Sequence, residues 1–265
     1  MSRLSEVLAA AKAEGRAALV GYLPAGFPSV SGSIAAMTAM VRGGCDVIEV
    51  GLPYSDPTMD GPTIQKAADA ALEGGTRTKD VLHVVEGVAA TGAATLVMTY
   101  WNPVERYGVD RFADDLAKAG GAGLITPDLI PEEAGPWLRA SDATGLDRVF
   151  LVAPSSTDAR LALTADASRG FVYAASLMGV TGTREQVGAH AEGLVARTRA
   201  VTELPVCVGL GVFNGRQAAQ VARYADGVIV GSAFCDPLLK APDEATGLAA
   251  VEALAAELAA GVRDR

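Results

Sequence analysis

The chain has 265 residues, 50% of them hydrophobic, with 22 Lys and Arg against 31 Asp and Glu, a formal charge of −9. That balance argues against a nucleic-acid or anionic-lipid surface, and any bound phosphate must be held by local geometry rather than by a positive field. The cysteines (Cys45, Cys207, Cys235) form no CxxC or Cys/His ligand set, the first residues lack an apolar signal core, and no apolar run is long enough to span a bilayer, so a soluble cytoplasmic protein with reduced thiols is expected.

Leu4, Val7, Leu8 and Ala11 fall at helical spacing, with Ser2 or Ser5 near the start, and predict an N-terminal helix. Residues 18–23 read as the first strand, broken by a proline-containing stretch, and a helix over 29–42 stops at Gly43-Gly44. The second strand, 46–50, is a short β-branched run closed by Gly51, and it carries one acid, Glu49. Side chains alternate along a strand, so Glu49 shares a face with Val47 while Ile48 and Val50 point the other way. In a sheet covered on both faces, a carboxylate there is costly to bury without a partner. A loop dense in prolines and acids follows over 53–61 and ends near a second carboxylate, Asp60, before Pro62 at a position that suits a first helical turn. The two acids make a candidate acid/base pair. The helices predicted over 63–72 and 79–90 are one more than a single crossover needs, so an insertion helix follows the second strand.

Strands are then predicted over 95–100, 123–126, 148–152, 171–174, 205–209 and 226–231, separated by helices over 109–119, 131–143, 158–167, 193–202 and 215–223, with a last helix over 243–260. Eight short strands alternating with helices predict an α/β fold with a parallel sheet closed into a single (β/α)₈ TIM barrel, an architecture of about 250 residues. The N-terminal helix fits as a plug for the barrel bottom. No linker or composition shift divides the chain, so residues 1–265 read as one domain. In such barrels chemistry sits on the loops that follow the strands.

Glu49 is therefore either a functional acid or half of an ion pair in the barrel mouth, and Asp60 either its partner or an Asx turn at a helix entry. After the seventh strand come Gly209 and Gly211, and after the eighth Gly231 and Ser232, where backbone N–H groups and a short helix N-terminus could meet a phosphate. The alternative there is tight turns that need positive φ. Tyr22, Met98, Tyr100, Ile125 and Tyr173 fall at strand ends and suit a pocket for a planar ring. His83 and His190 lack neighbours at metal-ligand spacing, and no metal site is expected.

The run Ile48-Glu49-Val50-Gly51-Leu52-Pro53-Tyr54-Ser55-Asp56-Pro57, followed by Asp60-Gly61-Pro62-Thr63-Ile64-Gln65, closely resembles the signature of the tryptophan synthase α subunit family, with Thr58 and Met59 departing from the pattern. The resemblance implies a lyase of aromatic amino-acid biosynthesis that cleaves indole-3-glycerol phosphate by a retro-aldol step to indole and glyceraldehyde 3-phosphate. It assigns Glu49 and Asp60 as catalytic residues and Ile64 to the pocket. It also adds Gly182 to the phosphate site and Thr181 to a lid, with Arg184 at the lid's end, although an ordinary exposed connection fits that segment equally well. The partner implied is a β subunit, in an α2β2 assembly that receives the indole and alone carries pyridoxal phosphate, with Asp56, Asn102 and Pro131 at the interface. The chain itself is expected to need no cofactor. A stand-alone lyase, or a silent barrel that activates its partner, would share much of this resemblance, though retention of both Glu49 and Asp60 argues against the second. Limited trypsin digestion is predicted to cut after Arg184 and to slow when a phosphate-bearing ligand is bound; cutting indifferent to ligand would contradict lid closure.

Overall fold

Short β-branched strands separated by helices can satisfy their backbones by pairing side by side in one direction. In the computed structural model, which describes residues 2–176, 184–209 and 211–264 (of 184–189 the backbone alone), that pairing closes on itself. The strands are β1 (Ala18–Pro24), β2 (Val47–Gly51), β3 (Ala94–Met98), β4 (Gly123–Thr126), β5 (Asp147–Val152), β6 (Val172–Ala175), β7 (Val206–Gly209) and β8 (Gly227–Val230). Each is parallel to the next, and β1 also pairs with β8.

The helices are α1 (Arg3–Ala13), α2 (Val30–Gly43), α3 (Pro62–Glu73), α4 (Thr78–Ala89), α5 (Trp101–Tyr107), α6 (Val109–Lys118), α7 (Gly135–Thr144), α8 (Asp158–Ala167), α9 (Arg184–Arg199), α10 (Gly215–Ala222), α11 (Ser232–Lys240) and α12 (Glu244–Gly261). No helix among the described residues is long and apolar enough to cross a membrane.

Strand alternation divides the core in two. Leu19, Leu23, Ile48, Val50, Val97 and Leu124 face outward into a shell shared with the helices. Val20, Val47, Leu96, Ile125, Val149, Phe171 and Ile229 face inward and pack with Leu4, Leu8 and Ala11 of α1. The N-terminal helix is therefore the plug that its apolar spacing predicted. Polar contacts seat it. The Ser2 hydroxyl caps α1 by accepting from Ser5 N at 3.2 Å and donates to Asp147 Oδ2 at 2.5 Å. Arg3 donates to the Gly92 carbonyl at 2.6 Å. Nearby, the Arg16 guanidinium grips Asp46 through two bonds of 2.7 and 2.9 Å, and Asp46 also accepts from Leu19 N, which locks β1 against β2.

Two helices lie outside the sequence expectation, and two others begin elsewhere. The third strand, expected over 95–100, ends at Met98, and Tyr100 turns out of it to stand at the N-cap of α5. Tyr100 offers no side-chain cap to α5, so the usual polar start signal is missing. The same is true of α11, whose N-cap is Gly231 and whose interior contains Pro237, a residue that normally argues against a helix. Pro131 opens a turn, with Ala134 N donating to its carbonyl, and α7 begins only at Gly135. The helix expected over 193–202 starts nine residues earlier, at Arg184.

Leu4 is fully buried beneath the barrel, so Leu4→Ala is predicted to cost about 2–5 kcal/mol, read as a lower urea midpoint at unchanged slope. A loss well under about 1 kcal/mol would show that α1 does not seal the barrel floor.

Candidate active site

The chemistry gathers where β1, β2, β6, β7 and β8 end. On β2, Val47 belongs to the inner cluster while Ile48 and Val50 belong to the outer shell, so alternation aims Glu49 into the barrel. In register it lies beside Tyr22 of β1 and Leu96 of β3. Glu49 is completely buried, and neither of its carboxyl oxygens has a hydrogen-bond partner. The ion pair considered from sequence is thus absent among the described residues. Burial alone pushes the Glu49 carboxyl up to about 8, because the charged form would sit unsolvated.

Asp60 is half-buried on the loop between β2 and α3. Burial raises its carboxyl above the ordinary aspartate range too. Its carbonyl accepts from Gln65 Nε2 at 2.7 Å, which fastens it to the first turn of α3, a helix that starts at Pro62 after Gly61. The hydroxyl oxygen of Tyr100 accepts the backbone N–H groups of both Thr58 and Met59, each at 3.0 Å. The Tyr100 ring packs on Tyr54 with centroids 5.1 Å apart, and the Tyr54 hydroxyl accepts from Asn102 Nδ2 at 3.4 Å. Tyr100, placed in the pocket wall by sequence, therefore also ties down the loop that carries Asp60. A nonlocal pair of bonds of this kind leaves no trace in local sequence.

Both acids bear on the same two phenols. Tyr22 and Tyr173 are pushed well above the ordinary tyrosine range by burial first, and in each case the charges of Glu49 and Asp60 push further. Both carboxyls thus lie within electrostatic reach of the same two phenols. Glycines make room for the rings. A Cβ on Gly51 would stand 2.4 Å from the Tyr22 hydroxyl, and one on Gly209 would stand 2.5 Å from the Tyr173 hydroxyl. A Cβ on Gly231 would come within 3.3 Å of both Tyr22 and Ile64, which brings Ile64 and the end of β8 together. Gly209 and Gly231, singled out as phosphate turns, therefore also serve as spaces for packed side chains. Met98 and Tyr173 pack at the margin of the inner cluster, and Ile125 is fully buried within it.

Gly231 is the N-cap of α11, with Ser232 its first residue and no side chain capping it. Helix N-termini carry orphan N–H donors and the positive end of the dipole, so this end is suited to an anion. Gly211 holds φ at +65°, a conformation that favours glycine. Phe213, which the sequence reading passed over, is half exposed on the turn after β7. Thr181 and Gly182 lie outside the described residues, as does the side chain of Arg184 at the start of α9. On the rim, Asp56 and Asn102 are exposed, and Pro131 stands beside the exposed Ile130. Among the described residues, no three His, Cys, Asp or Glu side chains gather as a metal-ligand set.

A family profile described as tryptophan synthase alpha chain matches residues 8–263. A tryptophan synthase alpha chain from Thermobifida fusca is 71% identical, covering 99% of this chain and 98% of its own. One from Mycobacterium avium is 61% identical, covering 100% of this chain and 96% of its own. Among solved structures, tryptophan synthase from M. tuberculosis in an open form with BRD0059 bound has a similar chain at 58% identity and TM-score 0.91, covering 99% of both chains. A tryptophan synthase subunit alpha from Legionella pneumophila is similar at 33% identity and TM-score 0.90, covering 99% of this chain and 98% of that one.

The burial of Glu49 makes stability depend on pH in a fixed direction. Its folded carboxyl, at about 8, holds a proton more tightly than an unfolded glutamate at 4.5. That contribution is full below about pH 4.5 and is lost as pH rises through about 8. Glu49→Gln, which stays neutral, is therefore predicted to match the parent near pH 4 and to exceed it by on the order of a few kcal/mol near pH 9. A difference in unfolding free energy that stays flat across this interval would contradict an uncharged buried carboxyl.

Proposed function

The chain belongs to the tryptophan synthase alpha chain family, whose lyase reaction is the cleavage of indole-3-glycerol phosphate, and from that premise we propose that Glu49 and Asp60 carry the chemistry in this molecule. The observation that carries the reading is Glu49, buried, without a partner on either oxygen, and protonated up to about pH 8.

Cleavage of the bond between indole C3 and the glycerol carbon requires the ring to tautomerise. Glu49 gives its proton to C3, and the ring becomes an indoleninium cation while its nitrogen keeps its hydrogen. The Asp60 carboxylate accepts that N–H and stabilises the positive charge. The Glu49 carboxylate then takes the proton of the adjacent glycerol hydroxyl. As that carbon becomes the aldehyde of glyceraldehyde 3-phosphate, the bonding electrons return to the ring, which leaves as indole. Glu49 ends protonated and ready for another turnover. Proton transfer by a group so placed is worth about 10²–10⁴-fold, and a carboxyl near 8 is available as an acid at neutral pH.

Tyr22, Ile64, Met98, Tyr100, Ile125 and Tyr173 form the wall against which the indole packs. The phosphate goes to the backbone of Gly209, Gly211 and Gly231 and to Ser232 at the head of α11, with Gly182 contributing from the segment after β6. The family resemblance assigns Thr181, outside the described residues, and Arg184 to a lid. The solved relatives include tryptophan synthase from M. tuberculosis, and their likeness supports a β subunit as partner in an α2β2 assembly. Asp56 and Pro131, on the loops after β2 and β4, and Asn102, in the first turn of α5 after β3, are the residues of this chain that would meet it. Pyridoxal phosphate belongs to that subunit, where the indole is consumed. The three buried, unpaired thiols are consistent with a cytoplasmic setting.

Glu49→Gln is predicted to lower indole release from indole-3-glycerol phosphate by at least about 10³-fold while a substrate analogue still binds within a few-fold of the parent. Measured with and without a β subunit, the parent should be slow alone and strongly stimulated by the partner. Full cleavage by the Gln variant would remove Glu49 from the mechanism, and full parent activity without any partner would favour a stand-alone lyase.

A further inference from the structure

Asp60 does not sit on a strand. It hangs on a loop whose neighbouring side chains, Asp56, Thr58 and Met59, are exposed, and among the described residues its own carbonyl is held only through Gln65. A catalytic carboxylate on such a loop needs a fixed point, since a misplacement of about 1 Å can cost on the order of 10²-fold in rate. The fixed point is the Tyr100 hydroxyl oxygen, which takes two successive backbone N–H groups, those of Thr58 and Met59, at 3.0 Å each. We propose that Tyr100 is a positioning residue for the lyase reaction, acting through Asp60 by clamping the backbone immediately before it; the proposal rests on the reading of Asp60 as the group that receives the indole N–H.

Four further features fit a clamp. The Tyr100 side chain is itself fixed, at 7% exposed, by the turn that ends β3 and begins α5. That turn is pinned from β4's side, where Asp128 Oδ1 accepts from Trp101 N at 2.9 Å. The face of the Tyr100 ring is covered by Tyr54, which belongs to the same loop as Asp60, so the loop grips the ring at two places. The charge of Asp60 also reaches the Tyr100 phenol, placing the carboxylate and the clamp in one electrostatic neighbourhood. Because the hydroxyl oxygen is occupied as an acceptor, its own hydrogen remains free to donate elsewhere without releasing the loop.

The test compares Tyr100→Phe with Asp60→Asn and the double variant in the complex with a β subunit. Tyr100→Phe keeps the ring and removes only the hydroxyl that accepts the two N–H groups. It is expected to lower kcat by about 10- to 100-fold with a smaller change in KM, and to speed amide hydrogen exchange at Thr58 and Met59 while the β-strands exchange as in the parent. In the Asp60→Asn background, Tyr100→Phe should have no further effect on turnover, whereas a merely structural loss would multiply with it. Parent-like kcat in Tyr100→Phe, or effects that multiply in the double variant, would overturn the clamp. Parent-like turnover by Asp60→Asn would instead remove the reading of Asp60, whatever Tyr100→Phe does.

Discussion

Among the described residues neither carboxyl oxygen of Glu49 has a partner, and the side chain is completely buried. An isolated charge in such a place is so unfavourable that the group keeps its proton instead, which is why a side chain that elsewhere is spent as an acid by pH 5 remains one near neutrality. The barrel provides the energy for this. Its inward strand residues and the underlying face of α1 pack a continuous hydrocarbon interior directly beneath Glu49, and the polar fasteners at Asp46 and Asp147 keep the strands and the plug in place. A site that is costly on its own persists because the rest of the fold is over-determined.

The two ends of the barrel divide the work. The bottom is fastened by ion pairs and hydrogen bonds at the strand starts and is filled by aliphatic side chains. The top is built from tyrosines set against glycines. Tyr22 lies across Gly51 and beside Gly231, and Tyr173 lies across Gly209, so the phenols fill space that larger residues on the neighbouring strands would occupy. This interlocking puts aromatic walls, a neutral acid and an uncapped helix N-terminus within one mouth. It also explains why the second acid is brought in on a loop. On the proposed roles, a strand aims one carboxylate inward and the loop supplies the other to the indole ring.

Much of this was legible in the chain. The period of two in Val47-Ile48-Glu49-Val50 gave the face of Glu49, the count of strands gave the closed barrel, and the spacing of Leu4, Leu8 and Ala11 gave the plug. What escaped has a common cause, dependence on partners distant in sequence. Tyr100 reads as the last residue of a strand because its neighbours are β-branched and apolar, yet its hydroxyl holds the backbone of Thr58 and Met59, 42 and 41 residues away in the chain, a pairing that the local pattern cannot show. The helix α11 starts on a glycine and contains Pro237, and α5 starts on a tyrosine, so neither shows the polar cap that marks a helix start. Gly209 and Gly231 look like turn residues, and only the packed structure shows the rings that require them to lack a side chain.

Titration of Glu49 itself is the most direct test of a neutral, buried acid. Difference infrared spectroscopy of the parent against Glu49→Gln isolates the stretching band of the protonated Glu49 carboxyl, which can be followed across pH in the free protein. The band should persist through neutral pH and vanish with a midpoint near 8. A midpoint near the ordinary glutamate value of 4.5 would mean that the carboxyl is charged and solvated or paired at neutral pH, and the acid that starts the cleavage would have to be sought elsewhere.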